Sequence, residues 1–182
     1  MKIPQLGKKP EIKTCHNTTW EDNYSWIHQK NILEVLRDSS KLLPEVRDYL
    51  EKENDYTNFH LKDTKQIQKK IFDEIKGRIK LDDESLPFTD KKYEYWTKTT
   101  KKGNYSIKLR KKIGTNDIEE IWNGDLEKEK LKTEYFGVGD IEISYNDKLI
   151  AYSLDLKGSE YYKIYVKDIK TNKLIGEEIT DT

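Results

Sequence analysis

The sequence holds a single cysteine, Cys15, among 182 residues. One thiol excludes an internal disulfide and any zinc site built from several cysteines. A lone thiol also fits a reducing compartment. An excess of either charge is missing: 34 Lys and Arg balance 34 Asp and Glu. Dedicated nucleic-acid binders and binders of acidic membranes carry a basic excess, so neither nucleic acid nor membrane is expected as a partner. No apolar run approaches the roughly 20 residues that span a bilayer. The stretch from Met1 to Pro10 has positive charge but no apolar core, so it does not read as a secretory signal. The expected location is the cytoplasm.

Motifs for chemistry are missing as well. A nucleophile elbow needs Gly-x-Ser-x-Gly, because a tight turn must present the serine. None of Ser25, Ser39, Ser40, Ser85, Ser106, Ser144, Ser153 or Ser159 has glycine two residues away on both sides. Gly137-Val138-Gly139 runs on to Glu142, not to a third glycine. There is no phosphate-binding loop and no His-Glu-x-x-His. His16, His28 and His60 are too far apart in sequence to form a local metal pair. Cys15 adjoins His16, but neighbours in an extended segment point apart, so a thiolate–imidazole pair is not expected. No catalytic, substrate-binding or metal-ligating residue is therefore assigned, and no cofactor is expected.

The residues that are present describe a folded but thinly cored chain. Only 34% are hydrophobic and 37% are charged. Leu, Ile, Val and Phe together make up about 24%, just above the range where disorder becomes the default. Twelve Tyr and four Trp pull the other way, since large aromatics supply buried area.

Two halves follow from the pattern. Residues 1–28 read as extended, punctuated by Pro4, Gly7 and Pro10. Trp20, Tyr24 and Trp26 follow closely, either as local anchors or as a strip that docks on something else. Residues 29–80 read as helices. Ile32, Leu33, Val35 and Leu36 make a short stripe, and Pro44 suits a first helical turn. Val46, Tyr49 and Leu50 follow, and Ile67, Ile71, Phe72, Ile75 and Ile79 then recur at three- and four-residue steps. Gly77 marks the stop.

After Pro87 the period changes to two. Tyr93, Tyr95 and Thr97 alternate with Glu94 and Trp96, and Lys102-Gly103-Asn104 is a turn signal. Tyr105, Ile107 and Leu109 make the return strand. Further strands are predicted over Ile118–Trp122, Ile141–Tyr145, Leu149–Leu154, Tyr161–Val166 and Leu174–Ile179. A weak repeat aligns Lys92-Tyr93 with Lys148-Leu149, Gly103 with Gly158, Tyr105 with Tyr161, and Glu119-Glu120-Ile121 with Glu177-Glu178-Ile179. The step is about 55 to 58 residues, near that of a propeller blade. The predicted class is α+β: an extended and helical segment over 1–84, then an antiparallel meander over 85–182 forming about two blades of an incomplete propeller. A propeller closes with four to eight blades. An isolated pair leaves an open edge and an uncovered face, so marginal stability is expected.

Two charged features carry no function on this pattern. Asp82-Asp83-Glu84 reads as a solvated connector partly neutralised by Lys76, Arg78 and Lys80, in preference to a cation site. The pairs Lys8-Lys9, Lys69-Lys70, Lys101-Lys102 and Lys111-Lys112 are scattered and read as solvated edge and turn charges.

The run Glu74-Ile75-Lys76-Gly77-Arg78-Ile79-Lys80-Leu81-Asp82-Asp83-Glu84-Ser85-Leu86-Pro87-Phe88 resembles the helix-to-first-blade junction of the prolyl oligopeptidase family of serine peptidases, in its oligopeptidase B branch. Asp22-Asn23-Tyr24-Ser25-Trp26 is similar to that family's Asp-x-Tyr-x-Trp. Glu53-Asn54-Asp55-Tyr56 resembles the end of its Glu-Asn-x-Tyr helix. Leu149 to Ser153, Asp155, Gly158-Ser159-Glu160 and Val166 to Ile169 resemble a blade. The chain departs at Ser144-Tyr145-Asn146-Asp147, where the family has Ser-Pro-Asp-Gly, and a looser turn is expected there. It departs again over Trp122 to Lys130, a poor match to the family's Asp-x-Asn connector.

The resemblance implies an enzyme of two domains. An α/β-hydrolase domain would carry Ser, Asp and His, and a seven-bladed propeller would cap it and exclude folded proteins. Members of this branch cleave short peptides after Arg or Lys. Residues for catalysis and for basic specificity would lie beyond position 182. Trp20, Tyr24, Trp26 and the Ile67/Ile71/Ile75 stripe would then face the hydrolase domain, the expected partner in cis or as a separate chain. The chain alone is expected to be inactive. The alternatives are a truncated, non-catalytic interaction module and a gene remnant.

Overall fold

The chain reverses between Cys15 and Thr18 using only His16 and Asn17. Both adopt left-handed φ, 48° and 64°. Left-handed residues in a two-residue loop match the twist of paired strands, so β1 (Glu11–Cys15) and β2 (Thr18–Asp22) pair antiparallel, Glu11 opposite Asp22 and Cys15 opposite Thr18. The sequence predicts an extended segment here but not the hairpin; Asn17, a residue that tolerates left-handed backbone, is the cue. The computed structural model describes residues 1–180; positions 181 and 182 of the predicted propeller span lie outside the described residues.

Contacts divide the chain into two units, Met1–Arg78 and the residues from Ile79 on. The predicted boundary followed residue 84. Segment 79–84 belongs with the second unit because Asp83–Glu84 is a strand of its first sheet.

In the first unit, Asp22 turns the chain after the hairpin by accepting the N–H groups of Tyr24 and Ser25, each at 2.9 Å. Three α-helices follow: α1 (Ile32–Arg37), α2 (Pro44–Leu61) and α3 (Lys65–Gly77). Pro44 opens α2, where its missing N–H costs no hydrogen bond. Buried Gln29 ties the α1–α2 region: its Oε1 accepts the Leu43 N–H (2.6 Å), and its Nε2 donates to Asn31 Oδ1 and the Lys41 carbonyl. The helix α3 ends at Gly77, so Ile79 lies beyond it and the helical stripe is Ile67, Ile71, Phe72 and Ile75.

The second unit is built from two open antiparallel sheets. Its strands are β3 (Asp83–Glu84), β4 (Phe88–Asp90), β5 (Tyr93–Thr99), β6 (Ile107–Lys112) and β7 (Ile118–Asn123), then α4 (Gly124–Leu131), then β8 (Gly137–Ile143), β9 (Leu149–Asp155) and β10 (Lys163–Asp168). In the first sheet β3 and β4 both pair with β5, which pairs with β6, then β7. Leu86-Pro87 falls in the break between β3 and β4, as a residue without an N–H must. The second sheet runs β8-β9-β10. The strand predicted over Leu174–Ile179 is not continuous. It returns to β10 through two isolated bridges, Lys167 to Leu174 and Ile164 to Ile179. Gly176 between them has φ 71°, which bends the chain off the ladder.

The repeat is structural. Tyr93 and Leu149 open β5 and β9, and Ile107 and Lys163 open β6 and β10, the same 56-residue step. The core sits between the sheets. Tyr95, Ile121 and Trp122 from the first meet Ile150, Tyr152, Leu154 and Tyr165 from the second, with Phe136 from the connector. Ile150, Tyr152 and Leu154 alternate along β9 and so share one face. Tyr152 stacks on Tyr165 at 5.5 Å, and Trp122 tilts against Tyr152 at 6.0 Å. Burying each such side chain contributes about 1.5–3 kcal/mol; the aromatics replace the aliphatics that the composition lacks.

The helix α4 was not predicted. Its sequence, GDLEKEKL, has no apolar stripe. Caps and charges make it a helix instead: Asn123 accepts the Leu126 N–H at 3.3 Å, Asp125 and Glu127 sit in the first turn, and Lys128 and Lys130 in the last. Lys132 closes it in a left-handed conformation, its N–H on the Lys128 carbonyl at 3.0 Å.

Candidate functional site

The seam between the two sheets holds two groups of polar side chains. At the β8–β9 turn, Asp147 takes left-handed backbone, φ 59°. Its Oδ1 accepts the Tyr95 hydroxyl at 3.1 Å, and its carbonyl accepts Arg110 at 2.6 Å. Arg110, buried, also donates through Nε to Glu119 at 2.8 Å and lies 4.2 Å from the Tyr93 ring centre. Burial pushes the Tyr95 hydroxyl up to about 12; Asp147 adds to this and Arg110 opposes it. Tyr95 is thus a neutral donor. The looser turn expected at Ser144-Tyr145-Asn146-Asp147 keeps a full set of bonds: Ser144 Oγ donates to Asn146 Oδ1 (2.8 Å) and accepts the Leu149 N–H (2.9 Å), and the Asp147 N–H meets the Ser144 carbonyl (2.9 Å). Asp147 takes left-handed backbone at the family's Gly position, and Asn146, at its Asp position, accepts the Lys148 N–H at 3.2 Å.

Deeper in the seam, Glu127 from α4 accepts Lys167 Nζ at 2.6 Å, Lys130 Nζ at 3.0 Å and the Tyr152 hydroxyl at 3.3 Å. Burial pushes its carboxyl up, but Lys167 and then Lys130 outweigh this and hold it below the usual range. Lys167 also faces the Tyr152 ring, 5.1 Å from its centre. Neither group is legible in the sequence, where a buried Glu or Asp reads as a surface charge.

The acidic run is spent on structure. Asp82 accepts the Lys101 N–H (2.7 Å), Asp83 pairs with Lys80 (2.7 Å), and Glu84 takes Lys98 (3.0 Å) and the Trp96 indole N–H (3.1 Å). Lys80 therefore plays the neutralising part predicted for it, but Arg78 pairs with Glu74 instead, and the run forms β3, not a free connector. Among the described residues no group of three or more His, Cys, Asp or Glu is placed to hold a metal.

Three serines are tied to local partners. Ser25 Oγ bonds Glu11 at 2.6 Å, Ser85 Oγ accepts the Thr97 N–H, and Ser153 Oγ accepts the Asp140 N–H. Among the described residues no serine hydrogen-bonds a histidine. The His60 ring lies tilted against Tyr56, 4.4 Å between centres, and Cys15 is exposed beside the turn residue His16.

One apolar stripe and one mixed groove are open. In the first unit Ile67 and Ile71 are each 49% exposed, Phe72 61% and Ile75 59%. Trp20 and Tyr24 are also exposed, whereas Trp26 is engaged locally, its indole on the Gly7 carbonyl (3.1 Å) and Lys9 over its ring (3.8 Å). In the second unit, the face of the second sheet that points away from the core holds Ala151, Ser153 and Ile164. These three are half-buried, and with Gly139, Tyr162 and the acidic Asp140 and Glu142 they line an open groove of about 550 Å³. Contiguous exposed apolar side chains mark surfaces that something covers.

The family described as prolyl oligopeptidase, N-terminal beta-propeller domain, matches residues 4–182. Dipeptidyl aminopeptidase BI of Pseudoxanthomonas mexicana is 30% identical over 98% of this chain and 25% of its own length. Protease 2 of Moraxella lacunata is 23% identical over 98% of this chain and 25% of its own. The fold is similar to that of oligopeptidase B from Leishmania major, with a TM-score of 0.76 and 24% identity over 98% of this chain and 26% of that one. The chain thus spans about a quarter of the length of these relatives. It belongs to the prolyl oligopeptidase family, as sequence from the N-terminal β-propeller domain of those peptidases.

Proposed function

We propose that this chain is the propeller-side portion of a serine-type oligopeptidase that acts in the cytoplasm on short peptides. In this reading an α/β-hydrolase domain outside residues 1–182 supplies serine, histidine and aspartate, with serine attack, histidine as base and an oxyanion hole. The chain contributes scaffold, and its blades restrict entry to unfolded peptides. The observation that carries the reading is the exposed apolar stripe Ile67/Ile71/Phe72/Ile75 on α3, with the open groove beside Ala151/Ser153/Ile164 on the second sheet, on a chain that spans a quarter of its relatives. In this reading the hydrolase domain covers the first and a third blade the second.

Cleavage after Arg or Lys follows from the likeness to the oligopeptidase B branch. Release of dipeptides is the second specificity, favoured by the 30% identity to a protein named dipeptidyl aminopeptidase BI. Paired fluorogenic substrates separate them in the protein that carries this chain in frame with its hydrolase part. One substrate has an internal Arg or Lys and a blocked N-terminus, and the other is a dipeptide with a free N-terminus. Turnover of the first, blocked by a serine-directed phosphonate, supports the first specificity. Turnover of the second alone supports the other. Neither being cleaved contradicts the oligopeptidase reading.

A further inference from the structure

Between Gly124 and Phe136 the chain crosses from the first sheet to the second, and both of those end residues are buried. Among the described residues between them, Glu127 is the one that is buried. Leu126 and Leu131, the leucines of α4, are 46% and 37% exposed. The first turn is held by its own contacts: Gly124 packs on Tyr105 and Trp122, where a Cβ would come within 2.5 Å and 2.8 Å, and Asp125 accepts the Asn104 N–H at 3.0 Å. Beyond Asp125 the buried contact with the sheets runs through the Glu127 carboxylate, where a surface helix ordinarily buries hydrocarbon, and Lys128 Nζ lies 5.4 Å from the Tyr105 ring centre.

We infer that α4 is a strap across the seam between the two sheets, anchored at Gly124 and Phe136 and pinned at its middle by the Glu127–Lys167 pair, so that loss of the Glu127 charge frees the strap while the core beneath stays folded. The inference is independent of the peptidase reading. The groups that face Glu127 are Lys167 of β10, Tyr152 of β9 and Lys130 of α4 itself. Removing one member of a buried pair leaves the other without compensation. The core contacts of Ile150, Leu154 and Trp122 do not pass through it. An eight-residue helix cut loose does not persist in water, so release reads out as helix loss. The linkage sign follows from the depressed carboxyl. The pin holds at neutral pH and is lost as the pH falls through a value below the ordinary glutamate range.

Hydrogen exchange read by mass spectrometry on the full chain tests this. In Glu127→Gln the amides of 128–132 exchange about tenfold faster or more at neutral pH, while those of β9 stay within about twofold of wild type. The double variant Glu127→Leu/Lys167→Met replaces charge by hydrocarbon, restores slow exchange over 128–132 and removes its acid response. Wild type alone gives a third readout: with each amide corrected for its intrinsic rate, which itself falls with pH, protection of 128–132 is lost ahead of that of β9 as the pH drops below about 4. Unchanged exchange over 128–132 in Glu127→Gln overturns the inference. So does joint loss of protection in 128–132 and β9, which makes Glu127 part of the core. An acid response that persists in the double variant overturns it too.

Discussion

Tyr95 on β5 hands its hydroxyl hydrogen to Asp147, 52 residues away at the turn between β8 and β9, at 3.1 Å. With Arg110 on the Asp147 carbonyl, it stitches one blade to the next at a turn lacking the usual proline and glycine. Tyr95→Phe keeps the ring and removes the bond. A cost of about 0.5–1.5 kcal/mol is expected, seen as a lower urea midpoint with an unchanged slope. An unchanged midpoint means the bond adds nothing to the seam.

Two glycines predict opposite outcomes for the same change. At Gly139 an added Cβ comes within 2.4 Å of Ser153 Oγ and 3.0 Å of the Tyr162 ring. Gly139→Ala therefore loses about 1–3 kcal/mol through overpacking. Gly77, the last residue of α3, has nothing within 4 Å of that position, so Gly77→Ala gains about 0.4–1 kcal/mol by restricting the unfolded chain. Thermal midpoints of the two variants measured side by side check both signs; a rise in Gly139→Ala contradicts the packing described there, and a fall in Gly77→Ala contradicts the open space at Gly77.

The periods that sequence carries well are the ones hydrocarbon writes. Ile67, Ile71, Phe72 and Ile75 spell out α3, and the alternation through Tyr93 to Thr97 spells out β5. Elements held by polar groups do not announce themselves. The charges of 124–131 look like a loop, yet caps make them α4. His16 and Asn17 look like coil, yet their left-handed backbone makes a hairpin. Leu174 to Ile179 alternates like a strand, and Gly176 breaks it. The open surfaces were legible through the family resemblance. The seam was not, because Glu127, Asp147 and Arg110 gain their roles only from partners 40, 52 and 37 residues away.

The α3 stripe predicts a surface variant with little effect on the chain itself. Ile67→Gln, Ile71→Gln and Ile75→Gln together are expected to change stability by less than about 0.5 kcal/mol per site, as for exposed positions. Binding of a hydrophobic dye and concentration-dependent aggregation are expected to fall. A large drop in the melting point instead places the stripe within the core of the isolated chain.

Asp155 predicts an acid limb of stability. It is 2% exposed and accepts the N–H groups of Lys157, Gly158 and Glu160, each at 2.9 Å. Burial pushes its carboxyl up, but these backbone bonds outweigh burial and hold it below its ordinary value. A depressed carboxyl stabilises above its unfolded value, about 3.9, and that contribution is lost as the pH falls through the lower folded value. Asp155→Asn is expected to lower stability at neutral pH and to flatten its decline below about pH 4. A decline as steep as in wild type places the acid sensitivity elsewhere.

The central claim is that this chain works only against a hydrolase partner, and fragment complementation tests it most directly. The 182-residue chain and the remainder of the peptidase are made as separate polypeptides and mixed, and the rate of cleavage of a short peptide is followed. The account predicts no turnover by the chain alone and phosphonate-sensitive turnover when the two are combined, lost again when α3 carries the three glutamines. Turnover by the chain alone that depends on one of its own serines would contradict it, as would a failure of the two polypeptides to associate.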